Sequence, residues 1–419
     1  MNTTLFKRLA TLLPLAAFMF LYSCGETELS EPFAEITDIE SPVSEDARYP
    51  YLHSHGDSVL VSWQSATGND ISELYIAALH GAEWSQPELV TRGEDWFVNW
   101  ADFPVIGNTR NGDILMSYMT SSGPGTFEYD LNFISRTGNS WNEAFIPHED
   151  GTLTEHGFAS ILPYQEDQLL TIWLDGRQMA GEDDADHSHD SHGNGDMMLM
   201  HGFIDPHSGV VTKGSLDDRV CECCPTSAAA TDQAAVFFYR DRSDDETRNI
   251  AHIRYQFDQQ EWSSPRALHD DGWQIHGCPV NGPAADSYDN TIGVVWFTAP
   301  DDQPHVRVSF SDDHGATFSE PVDIQTGNAL GRTDLRMIDS ETAVVSWIDQ
   351  HDGTTQLMAR LVSSDGTLGT PQVIVADNDL ASRATGFPRM TRLDDSIYLG
   401  WTRPGDPNSL KLVKGTLNM

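Results

Sequence analysis

An apolar or β-branched pair followed by an aromatic residue returns at near-regular intervals along this chain. It appears as Val-Ser-Trp63, Met-Ser-Tyr118, Thr-Ile-Trp173, Phe-Phe-Tyr239, Val-Val-Trp296, Val-Ser-Trp347 and Leu-Gly-Trp401, with gaps of 55, 55, 66, 57, 51 and 54 residues. A fixed period of this size means one supersecondary unit repeated, each burying its face against the next. Between the aromatics lie short alternating runs and turn residues, with no sustained helical period. Four strands of about 5–6 residues with their turns fill about 50 residues, the size of one propeller blade. The pattern predicts an all-β fold, a β-propeller of four-stranded blades, seven by this count.

A second marker keeps the same phase. Each unit closes on a turn, then an aromatic or apolar residue, often with proline three positions on: Trp84 to Pro87, Trp262 to Pro265, Phe318 to Pro321 and Leu368 to Pro371, with Trp141 lacking the proline. Proline is tolerated on an edge strand, so this element reads as the outermost strand. The seventh unit has no such element before Met419. The alternating segment Phe33–Ile39 precedes the first unit and is expected to supply it, closing the ring; the competing reading is a loose tether.

The amino-terminal 24 residues read as a leader. Lys7 and Arg8 are followed by an almost wholly apolar run from Leu9 to Phe20, short for a membrane span. Leu21-Tyr22-Ser23-Cys24 resembles a bacterial lipobox, which implies lipidation of Cys24 and a lipid anchor in the cell envelope, periplasmic or cell-surface; ordinary secretory cleavage is the alternative. Residues 25–43 then form a tether ending in the ring-closing strand, and 44–419 the propeller.

Charge narrows the partners. Asp and Glu number 64 against 24 Lys and Arg, a formal charge of −40, and only Lys7, Lys213, Lys411 and Lys414 are lysines. Such a chain does not bind nucleic acid or an anionic membrane through its bulk field. Scarce lysine with abundant aspartate also suits a salt-rich habitat.

Four cysteines remain: Cys221-Glu-Cys223-Cys224-Pro and His276-Gly-Cys278-Pro. Cys224 and Cys278 stand a few residues before the first strands of units four and five, and neighbouring blades set such entry points side by side. The phase therefore predicts that all four converge at the channel mouth. Outside the cytoplasm an even count suggests disulfides, although adjacent cysteines such as Cys223 and Cys224 bond to each other only with strain. The other reading is a thiolate site, with His276 as a further ligand, for copper(I) or zinc; a redox role is the third. Unit three carries an insertion with His187, His189 and His192 among aspartates, a weak divalent-ion tract or a solvated loop.

Ser311-Asp-Asp313-His-Gly315-Ala-Thr317-Phe318 follows the strand Val306–Phe310 and matches Ser-x-Asp-x-Gly-x-Thr-(Trp/Phe). Asp313 can accept backbone N–H groups across the turn, Gly315 allows positive φ, and Phe318 plugs between sheets. Ser135 to Trp141 and Ser363 to Gly366 look like degenerate copies. The motif resembles the Asp-box (BNR) repeat of sialidase-like propellers. Together with Cys-x-Cys-Cys-Pro, Tyr-Arg-Asp-Arg and His-Gly-Cys-Pro-Val-Asn-Gly-Pro, residues 45–419 resemble a group of bacterial sialidase-like proteins. The box speaks to fold. The resemblance implies a funnel that recognises an acidic or glycan ligand, with sialidase-type glycosidase activity as an expectation; it also implies six blades rather than seven. Ala47-Arg48-Tyr49-Pro50 stands where those enzymes carry their first carboxylate-binding arginine. Arg177, Arg240 and Arg332 are the other candidates, each a planar fork suited to carboxylate. Against this, an Arg–Asp network built on Asp175, Asp241 and Asp334 would tie blades together instead. No tyrosine–glutamate nucleophile pair is assigned. A metal-binding propeller without catalysis, or a scaffold for protein partners, stands as the alternative function.

Overall fold

A computed structural model describes residues 29–67, 70–180 and 195–418. Seven antiparallel sheets form a seven-bladed propeller. The inner and second strands are Arg48–His55 and Ser58–Thr67 in blade 1, Ile106–Asn108 and Ile114–Ser121 in blade 2, and His156–Tyr164 and Gln168–Asp175 in blade 3. They continue as Ser227–Ala230 and Ala234–Arg240 in blade 4, Ala284–Tyr288 and Thr291–Thr298 in blade 5, Ala329–Met337 and Thr342–His351 in blade 6, and Arg389–Leu393 and Ser396–Arg403 in blade 7.

The second strands are continuously buried because both of their faces meet a neighbouring blade. Ala234–Arg240 and Thr291–Thr298 are buried at every residue. An unbroken apolar run, rather than an alternating one, is the sequence mark of such a strand. All seven periodic aromatics sit on these strands, and Trp63, Trp173, Trp296 and Trp347 are among the largest fully buried side chains. Three of their polar tips reach carboxylates: Trp173 Nε1 donates to Asp175 (2.9 Å), Trp296 Nε1 to Asp271 (2.7 Å) and the Tyr239 hydroxyl to Asp217 (2.6 Å).

The ring closes through the amino-terminal strand. Phe33–Ile39 pairs antiparallel with Ser409–Leu417 and forms the outermost strand of blade 7, in a register joining Ile36 to Gly415 and Ile39 to Leu412. The outer-strand marker proves composite. Glu83–Trp84 and Glu261–Trp262 are two-residue pairings with the third strand, and the edge resumes at Glu88–Gly93 and Arg266–Ala267 beyond the prolines. Proline has no N–H for the ladder, so the strand breaks there.

The turn from Ser311 to Phe318 joins the third and fourth strands of blade 5. Asp313 accepts from the backbone of Ala316 and Thr317 at 3.0 and 2.9 Å, and from the Thr317 hydroxyl at 2.7 Å. Ser311 Oγ accepts from Gly315 N at 2.9 Å. Gly315 has φ +76°, and a Cβ there would lie 2.4 Å from Val236. Phe318 packs edge-on against Phe238 of blade 4. The turn thus docks one blade on the next and stays away from the inner strands.

Candidate metal centre at the propeller mouth

Where second strands end and inner strands begin, the connecting loops gather at one face. In blade 4 the Cys221 N–H donates to Arg240 O at 2.9 Å, which starts the cysteine loop beside the end of the second strand. Pro225 then leads into the inner strand. The blade 5 loop approaches so closely that a Cβ on Gly282 would lie 1.8 Å from Pro225 O; only glycine permits this contact. Arg240 completes the join. Its guanidinium donates to Asn281 O (3.0 and 2.6 Å), Phe297 O (2.7 Å) and Arg248 O (2.6 Å).

This packing brings the cysteines of two blades together. Cys221 Sγ lies 3.5 Å from Cys224 Sγ and 3.9 Å from Cys223 Sγ, and the Cys278 thiol makes a hydrogen bond with Cys223. None of the four is in a disulfide. In a tetrahedral site with metal–sulfur bonds of about 2.3 Å the sulfur–sulfur edge is about 3.8 Å, so the spacing of Cys221, Cys223 and Cys224 suits one ion. Cys221 and Cys224 are buried, Cys223 is half-buried and Cys278 is exposed.

The electrostatics favour an anion. Burial pushes the Cys221 thiol up to about 11. Hydrogen bonds among the thiols, first that with Cys221, raise Cys223 as well. Cys224 goes the other way. Burial opposes its ionisation, but the Cys221 and Cys223 thiols, the Arg240 guanidinium and the Asn281 N–H hold it well below the ordinary range. One thiolate stabilised by thiol donors is a seed for metal capture, since the thiolate is the ligand form. Behind the loop, Glu222 pairs with Arg242 and with Arg248 (2.9 Å), and both arginines also pair with Glu246 (2.8 Å each). Beside Cys278 lies a cavity of about 620 Å³ whose walls include Arg219, Arg242, Arg248 and His276. His276 is exposed at this rim.

The four arginines singled out from sequence are each committed to a different internal partner. Arg48 pairs with Asp46 at 2.6 Å. Arg177 makes a two-point contact with Asp175 (2.7 Å each) and meets Asp150 at 3.2 Å. Arg240 holds the carbonyls above. Arg332 donates to the carbonyls of Leu380, Ser382 and Gly386 at 2.8–3.1 Å and lies over the Trp100 ring. Asp334 pairs with Arg336 and Arg389, not Arg332. The four therefore do not form a shared carboxylate clasp. His187, His189, His192 and Cys24 lie outside the described residues.

A different basic group lines the axis. Arg336, Arg389 and Arg392 on the inner strands of blades 6 and 7 face a cavity of about 330 Å³, together with Tyr51, His53 and Asp102. The sequence signal for this group lies in Leu335-Arg336-Met337 and Arg389-Met390-Thr391-Arg392, where arginines interrupt short apolar runs. The structure also forms a tyrosine–glutamate pair. The Tyr129 hydroxyl donates to Glu155 (2.7 Å) and lies 3.1 Å from Asp102 Oδ2, but the tyrosine is fully buried and is no open nucleophile.

Asp102 gives a pH prediction. Burial raises its carboxyl to about 7, against the opposing bonds from Phe158 N–H and Tyr129. Between 3.8 and 7 the folded chain keeps a proton that the unfolded chain has lost, so stability falls as pH rises across that window. Asp102→Asn is expected to remove this slope, a difference of up to about 4 kcal/mol at pH 8, read by urea denaturation of both proteins from pH 4 to 8.

No protein-family model matches the chain, and no curated protein matches it. Among solved structures it is similar to the polysaccharide lyase Uly1, at 8% identity over 92% of this chain and 100% of that one, with a TM-score of 0.54. It is similar to a protein of unknown function from Dyadobacter fermentans, at 12% identity over 92% and 99%, TM-score 0.50. The α-L-arabinofuranosidase of Fusarium graminearum matches at 12% identity over 80% and 98%, TM-score 0.48. Sialidase and neuraminidase-like structures also appear. The structural neighbours are thus sialidase-like, glycosidase and polysaccharide-lyase propellers at low identity, and at such identity the likeness shows the fold.

Proposed function

We propose that this chain is a metal-binding propeller of the cell envelope, anchored through Cys24, that holds a soft d10 ion, copper(I) or zinc, on Cys221, Cys223, Cys224 and Cys278. The observation that carries this reading is the clustering of the Cys221, Cys223 and Cys224 sulfurs, with Cys278 of the next blade hydrogen-bonded to Cys223 and Cys224 favoured as thiolate. Thiolate ligands select such ions. The half-open edge at Cys278 gives the ion a way in from the adjoining cavity, and His276 stands at that rim. Buried Arg240 offsets the negative charge that a four-thiolate centre keeps after binding a mono- or divalent ion.

The test is elemental analysis and thiol titration of protein purified from the bacterial envelope under argon. We expect about one equivalent of copper or zinc, four thiols after its removal, and loss of the ion in both Cys224→Ser and Cys278→Ser. Two disulfides with no bound metal end this reading.

A second reading rests on the axial cavity. Arg389, which lies over the Tyr51 ring and meets Asp334 only at 3.7 Å, is the arginine left to meet a carboxylate-bearing sugar, in keeping with a glycan or acidic ligand in the funnel, while Arg336 and Arg392 are held by Asp334 and by the carbonyls of Met390, Met337 and Ile338. Binding of sialic and uronic acids by calorimetry, lost in Arg389→Ala, supports it; absence of binding ends it. Sialidase turnover is not expected, because Tyr129 is enclosed.

A further inference from the structure

The four cysteines of the mouth differ in what can reach them. Cys221 and Cys224 are each 1% exposed, Cys223 is half-buried and Cys278 is exposed. Cys221, Cys223 and Cys224 form the tight group of sulfurs. Cys278 stands at the edge of that group, on the loop of the next blade, and joins it through the hydrogen bond with Cys223. The exposed sulfur and the half-buried one are therefore neighbours that belong to different blades.

Contacts other than the sulfurs hold the two loops together. Gly282 packs on Pro225 O. Asn281 O takes the Arg240 guanidinium, Asn281 Oδ1 accepts from Arg332 N at 2.8 Å, and the Asn281 N–H reaches Cys224. Between Cys278 and Asn281, Val280 sits at φ +46°. A β-branched residue takes this left-handed conformation only when its surroundings impose it. Among these contacts only the one to Cys224 involves a sulfur, so the loops stay joined when an ion leaves. Holding Cys278 beside Cys223 makes a bond between them an intramolecular step.

We propose that Cys278 and Cys223 are a thiol–disulfide exchange site that gates the metal centre: a small external disulfide converts them to one disulfide between blades 4 and 5, and the ion leaves. The release rests on the metal reading above; the exchange does not. In the first step the Cys278 thiolate attacks one sulfur of the external disulfide, R–S–S–R. A Cys278–SR bond forms, the external S–S bond breaks and one RS⁻ departs. In the second step Cys223 attacks the Cys278 sulfur and expels the second RS⁻. The two protein thiols lose two electrons and two protons, and the external disulfide takes up both as two RSH. Burial shields Cys221 and Cys224 from the first step. A Cys223–Cys224 bridge is disfavoured because adjacent cysteines bond only with strain. The new disulfide withdraws two sulfurs from the centre, so the ion keeps only Cys221 and Cys224, and the cavity of about 620 Å³ beside Cys278 gives it a way out.

The experiment treats the zinc-loaded chain with oxidised glutathione as the external disulfide. Peptide mass spectrometry after alkylation is expected to find one disulfide, Cys223–Cys278, with Cys221 and Cys224 still reduced. A chromogenic chelator is expected to read zinc released in equal amount to that disulfide, and dithiothreitol to restore the thiols and zinc uptake. In metal-free chain Cys278→Ser is expected to react at least about tenfold more slowly, because the exposed sulfur is gone. Cys223→Ser is expected to stop at a persistent glutathione adduct on Cys278. A Cys221–Cys224 disulfide as the first product overturns the exchange site, and so does a Cys278→Ser variant that oxidises as fast as the parent chain. Zinc that stays bound after the Cys223–Cys278 disulfide has formed overturns the gate. A chain that forms this disulfide but never takes up zinc counts against the metal reading and leaves the exchange site supported.

Discussion

Replacing Arg240 with methionine is expected to destabilise the propeller by about 3–5 kcal/mol and to raise the ionisation range of Cys224. The side chain is 1% exposed and donates to the carbonyls of Asn281, Phe297 and Arg248, while its face lies 4.9 Å from the Trp273 ring. Methionine fills comparable volume but leaves three carbonyls without their donor, each costing about 1–3 kcal/mol where water cannot reach. The second effect is chemical. Arg240 is one of the groups that holds the Cys224 thiol low, so its loss moves alkylation by iodoacetamide to higher pH. Arg240→Lys is expected to restore part of the charge effect but not the three-carbonyl grip, because an ammonium lacks the planar fork. Urea denaturation and the pH dependence of alkylation read the two effects separately. Unchanged stability in Arg240→Met would remove Arg240 as the joint between blades 4 and 5.

Opening the ring is expected to have the other large effect. Phe33 is 2% exposed and packs in the same cluster as Leu399, Val413 and Leu417. Phe33→Ala should cost about 3–5 kcal/mol by transfer and cavity terms. Its neighbours also tie in blade 6: Phe33 N and O bond the Gln372 side chain at 3.0 and 3.1 Å. Deleting residues 33–39 removes the whole outermost strand of blade 7 and leaves Ser409–Leu417 with an unpaired edge, a template for association. The deletion is expected to lower the melting temperature more than Phe33→Ala and to form aggregates by light scattering. A deletion variant that melts like the parent chain would mean the strand is dispensable for closure.

Much of the fold was legible because a blade repeats. Each second strand needs an apolar run with a large aromatic at one depth, and seven such runs at similar spacing leave little room for another architecture. The amino-terminal strand was legible for the complementary reason: unit seven lacked an edge, and Phe33–Ile39 had the alternation to provide one. Convergence of the cysteines followed from phase, since homologous loop positions on neighbouring blades meet at the ring's mouth. The arginines show where phase stops helping. Arg48, Arg177, Arg240 and Arg332 all lie near strand ends as expected, yet whether a guanidinium faces a ligand or a carbonyl depends on which backbone groups nearby lack a donor. Those groups, such as Asn281 O or Leu380 O, come from other blades and carry no mark in the local sequence.

Periodicity and patterning thus determined the all-β class, the number of blades, the closing strand and the meeting of Cys221, Cys223, Cys224 and Cys278, because each follows from repeat length and strand phase alone. Only the tertiary structure decided how the polar side chains are spent. It assigned Arg240 to brace the cysteine loops and set Arg336, Arg389 and Arg392 around the axial cavity. The physical reason is that apolar burial is set by an average over a whole strand, whereas a buried charge or lone pair is settled by single partners at about 3 Å, and residues distant in sequence supply them.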